Sequence, residues 1–108
     1  MKTPNACRNL EDVRAAVNAI DRDIVKLLGK RAKYAMAALR FKTDVSEVAD
    51  PAHRKRLFAQ RREWAAAQGV NGKMVQEIFQ AIVDESKRLH LAGFRARGKN
   101  SGKTSRAI

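Results

Sequence analysis

Positions 10, 13, 17, 20, 24, 27, 31, 34, 38 and 41 step along the chain by threes and fours, and nine of these ten are Leu, Val, Ile, Ala, Tyr or Phe. This pattern predicts one amphipathic helix from Leu10 to Phe41. Asn9 stands where an N-cap belongs, and Glu11 and Asp12 place negative charge in the first turn, where the helix dipole favours it. After Lys42, residues 43 to 49 are small and polar without a sustained period. Asp50-Pro51 then restarts a helix, with Asp as N-cap and Pro at the first helical position. This second helix sets Leu57, Phe58, Trp64 and Ala65 among Arg54, Lys55, Arg56, Arg61 and Arg62, so it reads as a cover with one apolar edge, ending at Gly69. Gly69-Val70-Asn71-Gly72 is a turn signal. A third helix follows, with Val75, Ile78, Phe79, Ile82 and Val83 on one face. Stepping on by fours from Ile78 and Ile82 reaches Ser86 and then His90, before the helix fades near Gly93. There is no strand signal, internal repeat or glycine-rich phosphate loop. The expected fold is all-α, a three-helix protomer with one long N-terminal helix.

Arg31 is the exception in the first seam. A charge taken out of water without a partner is too costly to keep, and no acidic residue interrupts that stripe. The simplest inference is an anionic ligand bound between helices. Helix length carries a second expectation. A straight helix from Leu10 to Phe41 spans roughly 48 Å at 1.5 Å per residue, whereas a compact domain of about 100 residues has a radius of gyration near 13 Å. A second subunit should therefore cover the seam, most simply in a twofold homodimer.

The 108 residues, 44% hydrophobic and 31% charged, suit one soluble globular domain. A single cysteine, Cys7, excludes an internal disulfide framework, and no Cys/His cluster has metal-ligand spacing, so neither a metal nor another cofactor is expected. The opening MKTPNACRN lacks the apolar run of a signal peptide, and no later segment approaches a membrane span, so a cytoplasmic protein is expected. The net charge of +12 raises the question of a nucleic-acid partner. Arg95, Arg97, Lys99, Lys103 and Arg106 account for part of it. They lie in a glycine- and serine-containing segment that reads as a disordered, solvated tail. Residues 1–94 then form the helical domain and 95–108 the basic tail, and nucleic acid is not the expected partner.

On an ideal helix Arg31 and Lys42 differ by about 20° in direction and lie roughly 16 Å apart along the axis, so two long cations there can hold the ends of a small dianion. Arg14 points about 100° away from Arg31 and would have to arrive from another subunit. Ser86 and His90 have no orienting carboxylate in a recognisable motif, so no nucleophile is built, and no carboxylate pair suggests hydrolysis. An enzyme of this composition would work by positive charge and shape.

These residues meet a known family. The chain resembles the all-helical, type II chorismate mutases over roughly residues 7 to 94. The carriers are LEDVRAAVNAIDRDIVKLLGKR, with Leu-x-x-x-Arg and Ile-Asp followed by Leu-x-x-Arg, then Phe-Lys at 41–42, VADP at 48–51 and IFQAIVDES at 78–86. Within that family, MKTP with Cys7, Arg-Phe-Lys at 40–42 and Arg-x-x-Trp-Ala at 61–65 look closest to the isochorismate-pyruvate lyases of salicylate synthesis. The resemblance implies an intertwined homodimer with shared active sites, in which Arg14 crosses into the partner's site and Arg31 binds a substrate carboxylate. It implies that Lys42 contacts the other carboxylate and the ether oxygen, that Ser86 lies beside the ring, and that residue 90 donates to the ether oxygen as the C–O bond breaks. Asp50 and His53 complete the expected substrate-binding set, and Lys42, His90 and Arg31 the catalytic one. Such pericyclic reactions need a restrained substrate conformer and cationic donors, not a nucleophile.

Two departures shape the expectation. Mutases of this family typically carry Arg-Glu after the Asp-Pro-x segment, and this chain has His53-Arg54, which favours a lyase over a dedicated mutase. The family's usual glutamine at position 90 is His90, whose cation would add charge at the ether oxygen, so activity is expected to rise as pH falls. The leading reading is isochorismate to salicylate and pyruvate, with weak conversion of chorismate to prephenate. The alternatives are a dedicated mutase and a catalytically lost basic binding protein. The sequence leaves open whether residues 43–49, with Lys42 at their edge, close over the site.

Overall fold

The computed structural model describes residues 2–42 and 50–107, with side chains through residue 97. In order these form a 3-10 turn Pro4–Ala6, α1 Leu10–Ala37, a second 3-10 turn Ala38–Phe41, α2 Pro51–Ala67 and α3 Gly72–Ala107. The fold is all-α, with no strand among the described residues. Residues 43–49, for which the sequence left a lid role open, lie outside them. The chain divides into two compact units, Met1–Tyr34 and Ala35–Ile108.

The predicted starts are built from the residues expected. Asn9 Oδ1 accepts from the Asp12 N–H at 2.8 Å, and Asp50 Oδ1 accepts from the His53 N–H at 3.1 Å with Pro51 as the first helical residue. Asn71 caps α3 in the same way, accepting from the Met74 N–H at 2.9 Å. Gly69, at φ 68°, closes α2, with the Val70 N–H reaching back to the Ala65 carbonyl at 2.9 Å. Only glycine takes that backbone region without penalty. The start of α1 gains a second device. The Asp12 carboxylate is held below its usual range, first by the Arg8 N–H and then by the Lys2 ammonium at 2.9 Å.

Two boundaries differ from the sequence expectation. The first helix stops at Ala37, and residues 38–41 tighten into 3-10 geometry, with the Lys42 N–H bonded to the Leu39 carbonyl at 3.1 Å. Tightening of this kind is common where a helix runs out of acceptors. Lys42 itself is extended, at φ −100° and ψ 129°, so the ideal-helix register stops short of it. The third helix does not fade at Gly93 but continues through the segment expected as a disordered tail, to Ala107. Gly93 is a point of close approach: a Cβ there would overlap the Leu39 side chain. A mid-helix glycine costs about 1 kcal/mol relative to alanine, and the contact with Leu39 and the bonds of Arg97 described below offset it.

The second unit is held by the α2–α3 hairpin. Ala65 is its buried apolar anchor at 4% exposure. Arg61 lies over the Trp64 ring at 4.6 Å and the Phe79 ring at 5.4 Å, bridging the helices through its planar face. Arg54 pairs with Asp84 at 2.6 Å, and Arg62 bonds Gln76. The basic face of α2 is thus largely turned to use against α3. In α1, by contrast, no residue is buried, and Leu10, Val13, Val17, Ile20, Ile24, Leu27 and Tyr34 all stand exposed along the predicted seam. Among the described residues no helix is long and apolar enough to cross a membrane.

Candidate active site

In the second unit the sequence stripe Ile78, Ile82, Ser86, His90 brings one polar residue to a buried position. His90 is 5% exposed. Its Nε2 lies 2.6 Å from the Ala35 carbonyl oxygen, which can only accept, so Nε2 carries the proton and donates. The other ring nitrogen, Nδ1, lies 3.2 Å from the Lys42 Nζ. An ammonium can only donate, so Nδ1 is the acceptor and the neutral ring is the form that fits. A second proton on the ring would set an N–H against the Lys42 cation. In this structure both contacts of the ring are to groups of the protein itself, and the residue His90 acts on is Lys42.

Lys42 is half-buried and follows the 3-10 turn. Its ammonium meets a neutral ring, and among the described ion pairs, which join Lys2 and Arg8 to Asp12, Arg54 to Asp84 and Arg88 to Glu85, it takes no part. Among the described residues, dipoles orient this cation and no carboxylate neutralises it. An anion, or an oxygen gaining negative charge, is a partner that suits such a group.

The other predicted residues are placed less uniformly. Ser86, one turn before His90 on α3, donates its hydroxyl to the Ile82 carbonyl at 3.1 Å and is part-buried. Asp50 is committed to the cap of α2, and His53 is exposed at its first turn. In the first unit Arg14 is exposed. Arg31 is half-buried and takes part in an interaction within the chain. A shallow groove of about 270 Å³ runs along Ala15, Ala16 and Ala19 beside Lys2 and Asp12, and contains none of the predicted site residues. Among the described residues, no group of three or more His, Cys, Asp and Glu is arranged to hold a metal ion.

One contributor was missed in the sequence. Arg97, assigned there to a solvated tail, donates Nη1 to the Leu39 carbonyl at 3.1 Å and the Lys42 carbonyl at 3.3 Å. Its guanidinium lies 5.0 Å from the Phe94 ring centroid. The signal was available. The stripe that reaches His90 by fours continues to Phe94 and then, by three, to Arg97.

Comparison with known proteins agrees with this reading of the fold. A 37% identical relative over 83 residues, covering 77% of this chain and 82% of that protein, is the isochorismate pyruvate lyase of Pseudomonas aeruginosa. The family model for chorismate mutase type II matches residues 13–91, a span that takes in Arg14, Arg31, Lys42, Ser86 and His90 and stops short of Arg97. The chain belongs to the chorismate mutase type II family.

Proposed function

We propose that the chain is a pericyclic enzyme acting on a small dicarboxylate, converting isochorismate to salicylate and pyruvate, with weaker conversion of chorismate to prephenate in the same pocket. The observation that carries this reading is the Lys42 ammonium, oriented by a neutral buried imidazole and uncompensated by any described carboxylate. Bond breaking at the substrate's ether oxygen builds negative charge there. A fixed cation aimed at that oxygen stabilises the transition state more than the ground state. Arg14 and Arg31 bind the carboxylates, where a planar guanidinium makes paired hydrogen bonds, and Ser86 lines the ring. No nucleophile, metal or cofactor is required, because the electrons move within one substrate molecule.

The lyase reading is favoured by the 37% identical isochorismate pyruvate lyase. It also fits the His53-Arg54 sequence, which lacks the glutamate a mutase would use for the ring hydroxyl. The exposed seam of α1 supports a homodimer with shared sites. Covering its half-exposed side chains is worth on the order of 5–10 kcal/mol per subunit before the costs of association. Action in the cytoplasm suits the lone thiol of Cys7.

The test is a side-by-side assay with isochorismate and chorismate, following salicylate fluorescence and chorismate absorbance. Salicylate formation is expected from the wild type, with Lys42→Ala and Arg31→Ala each slower by at least about 10²-fold. Chorismate consumption alone would make the chain a dedicated mutase. Silence with both substrates would end the enzymatic reading. Mixing Arg14→Ala and Arg31→Ala subunits should restore one working site per mixed dimer, and absence of recovery would remove Arg14 from the partner's site.

A further inference from the structure

We propose that α3 clamps Lys42 at two points, with His90 holding its ammonium and Arg97 holding its backbone, and that Arg97 is thereby a positioning residue for turnover. The inference rests on the pericyclic reading in so far as it concerns turnover. The clamp itself is a statement about this chain's own contacts.

The end of a helix leaves carbonyls without intrahelical donors, and it carries partial negative charge. Here the Leu39 carbonyl already accepts from the Lys42 N–H, and one Arg97 nitrogen adds a second donor to it while also bonding the carbonyl of Lys42, the extended residue that follows the turn. Phe94, one turn earlier on α3, lies under the guanidinium and limits its rotamers. Gly93 allows α3 to come against Leu39 closely enough for the bonds to form.

The same helix supplies His90, one turn before Phe94, whose Nδ1 takes the Lys42 ammonium. A lysine side chain has four rotatable bonds, and fixing only its tip or only its backbone leaves the charge free to wander. Fixing both leaves the stem alone to adjust. A misplacement of about 1 Å in such a group costs up to about 10²-fold in rate. The family model ends at residue 91, before Phe94 and Arg97, so this half of the clamp lies beyond the matched span.

The role of His90 in the clamp requires one donor and one acceptor at fixed positions. A glutamine amide offers both, its nitrogen to the Ala35 carbonyl and its oxygen to the Lys42 ammonium. His90→Gln is therefore the conservative variant, and His90→Leu the disruptive one.

Two measurements on the full-length protein test the clamp. The first is kinetic. Arg97→Ala should lower kcat by about 10- to 100-fold with a smaller change in KM. Arg97→Lys should recover part of the loss, and His90→Gln should stay nearer the wild type than His90→Leu. On a Lys42→Ala background Arg97→Ala should add little, because the residue it positions is gone. An equal loss on both backgrounds would show that Arg97 acts elsewhere, and an unchanged kcat in Arg97→Ala would overturn its role in turnover.

The second needs no substrate. Trypsin cuts after lysine, and release of the 1–42 fragment, followed by mass spectrometry, reports how firmly Lys42 is held. Arg97→Ala and His90→Leu should each speed that cut by several-fold at an unchanged unfolding midpoint, and His90→Gln should not. A cleavage rate identical in all variants would refute the clamp whether or not the protein turns over isochorismate. Failure of the wild type in the assay alone would refute the functional reading and leave the clamp to this second result.

Discussion

The stripe of α1 and the stripe of α3 are written in the same three-and-four period, yet they meet opposite fates. Along α1 the side chains from Leu10 to Tyr34 stay exposed, with Ile24 at 49% and Tyr34 at 71%. On α3 the stripe begins at Ile78, itself 49% exposed, is half-buried at Phe79, Ile82, Val83 and Ser86, and ends at a buried His90. The period says that a face exists; whether that face is finished within one chain depends on what other segments reach it. The α3 stripe has Ala65, Arg61 and Leu39 against it or bridging to it. The α1 stripe presents apolar area that asks for a second copy.

The sharpest way to break this contrast is a charge on the unfinished face. If the proposed homodimer forms through this seam, Ile24→Glu should weaken it by at least about 10²-fold in Kd, since an unpaired carboxylate would have to be buried in an apolar seam. Sedimentation at varied concentration reads the effect directly. A variant that associates as the wild type does would mean that the seam is not the interface.

A smaller effect is expected on the finished face. Gly93→Val adds branched atoms where even a Cβ overlaps Leu39, so it should destabilise the fold by about 1–3 kcal/mol in denaturant unfolding. If Gly93→Val were as stable as the wild type, the close approach of α3 to the 38–41 turn would be in error. Loss of stability without loss of dimer affinity would confirm that the two faces are independent.

The smallest effect lies at the start of α1. The folded Asp12 carboxylate is held below its ordinary value, so its contribution is present above the unfolded carboxylate range and is lost as pH falls through the folded value. Unfolding midpoints from neutral pH to strongly acid solution should converge between wild type and Asp12→Asn as acid is added. Curves that remain parallel would assign the stabilisation to some group other than this carboxylate.

Much of the fold was legible because its signals are local. Asn9, Asp50-Pro51 and Gly69 each act within a few residues of themselves, and each does in the structure what its chemistry suggests. Of the candidate site, Lys42, Ser86 and His90 were singled out from spacing and from resemblance. Their partners were not. His90 was expected to face a substrate and instead joins the Ala35 carbonyl to the Lys42 ammonium, two groups far away in sequence. Gly93 was read as the end of a helix because glycine weakens helices locally, and its use as a place of contact with Leu39 is invisible in the local sequence.

By itself, then, the sequence determined the three helices, their caps, the apolar faces and the cationic character of the site, since each depends on period, composition or residues a few positions apart. Tertiary structure alone decided which groups meet the two nitrogens of the His90 ring, that Lys42 leaves the helix before its ammonium is met, and that Arg97 bonds the Leu39 and Lys42 carbonyls. These depend on donors and acceptors brought together from distant segments, and a hydrogen bond has no sequence spacing until the chain has folded.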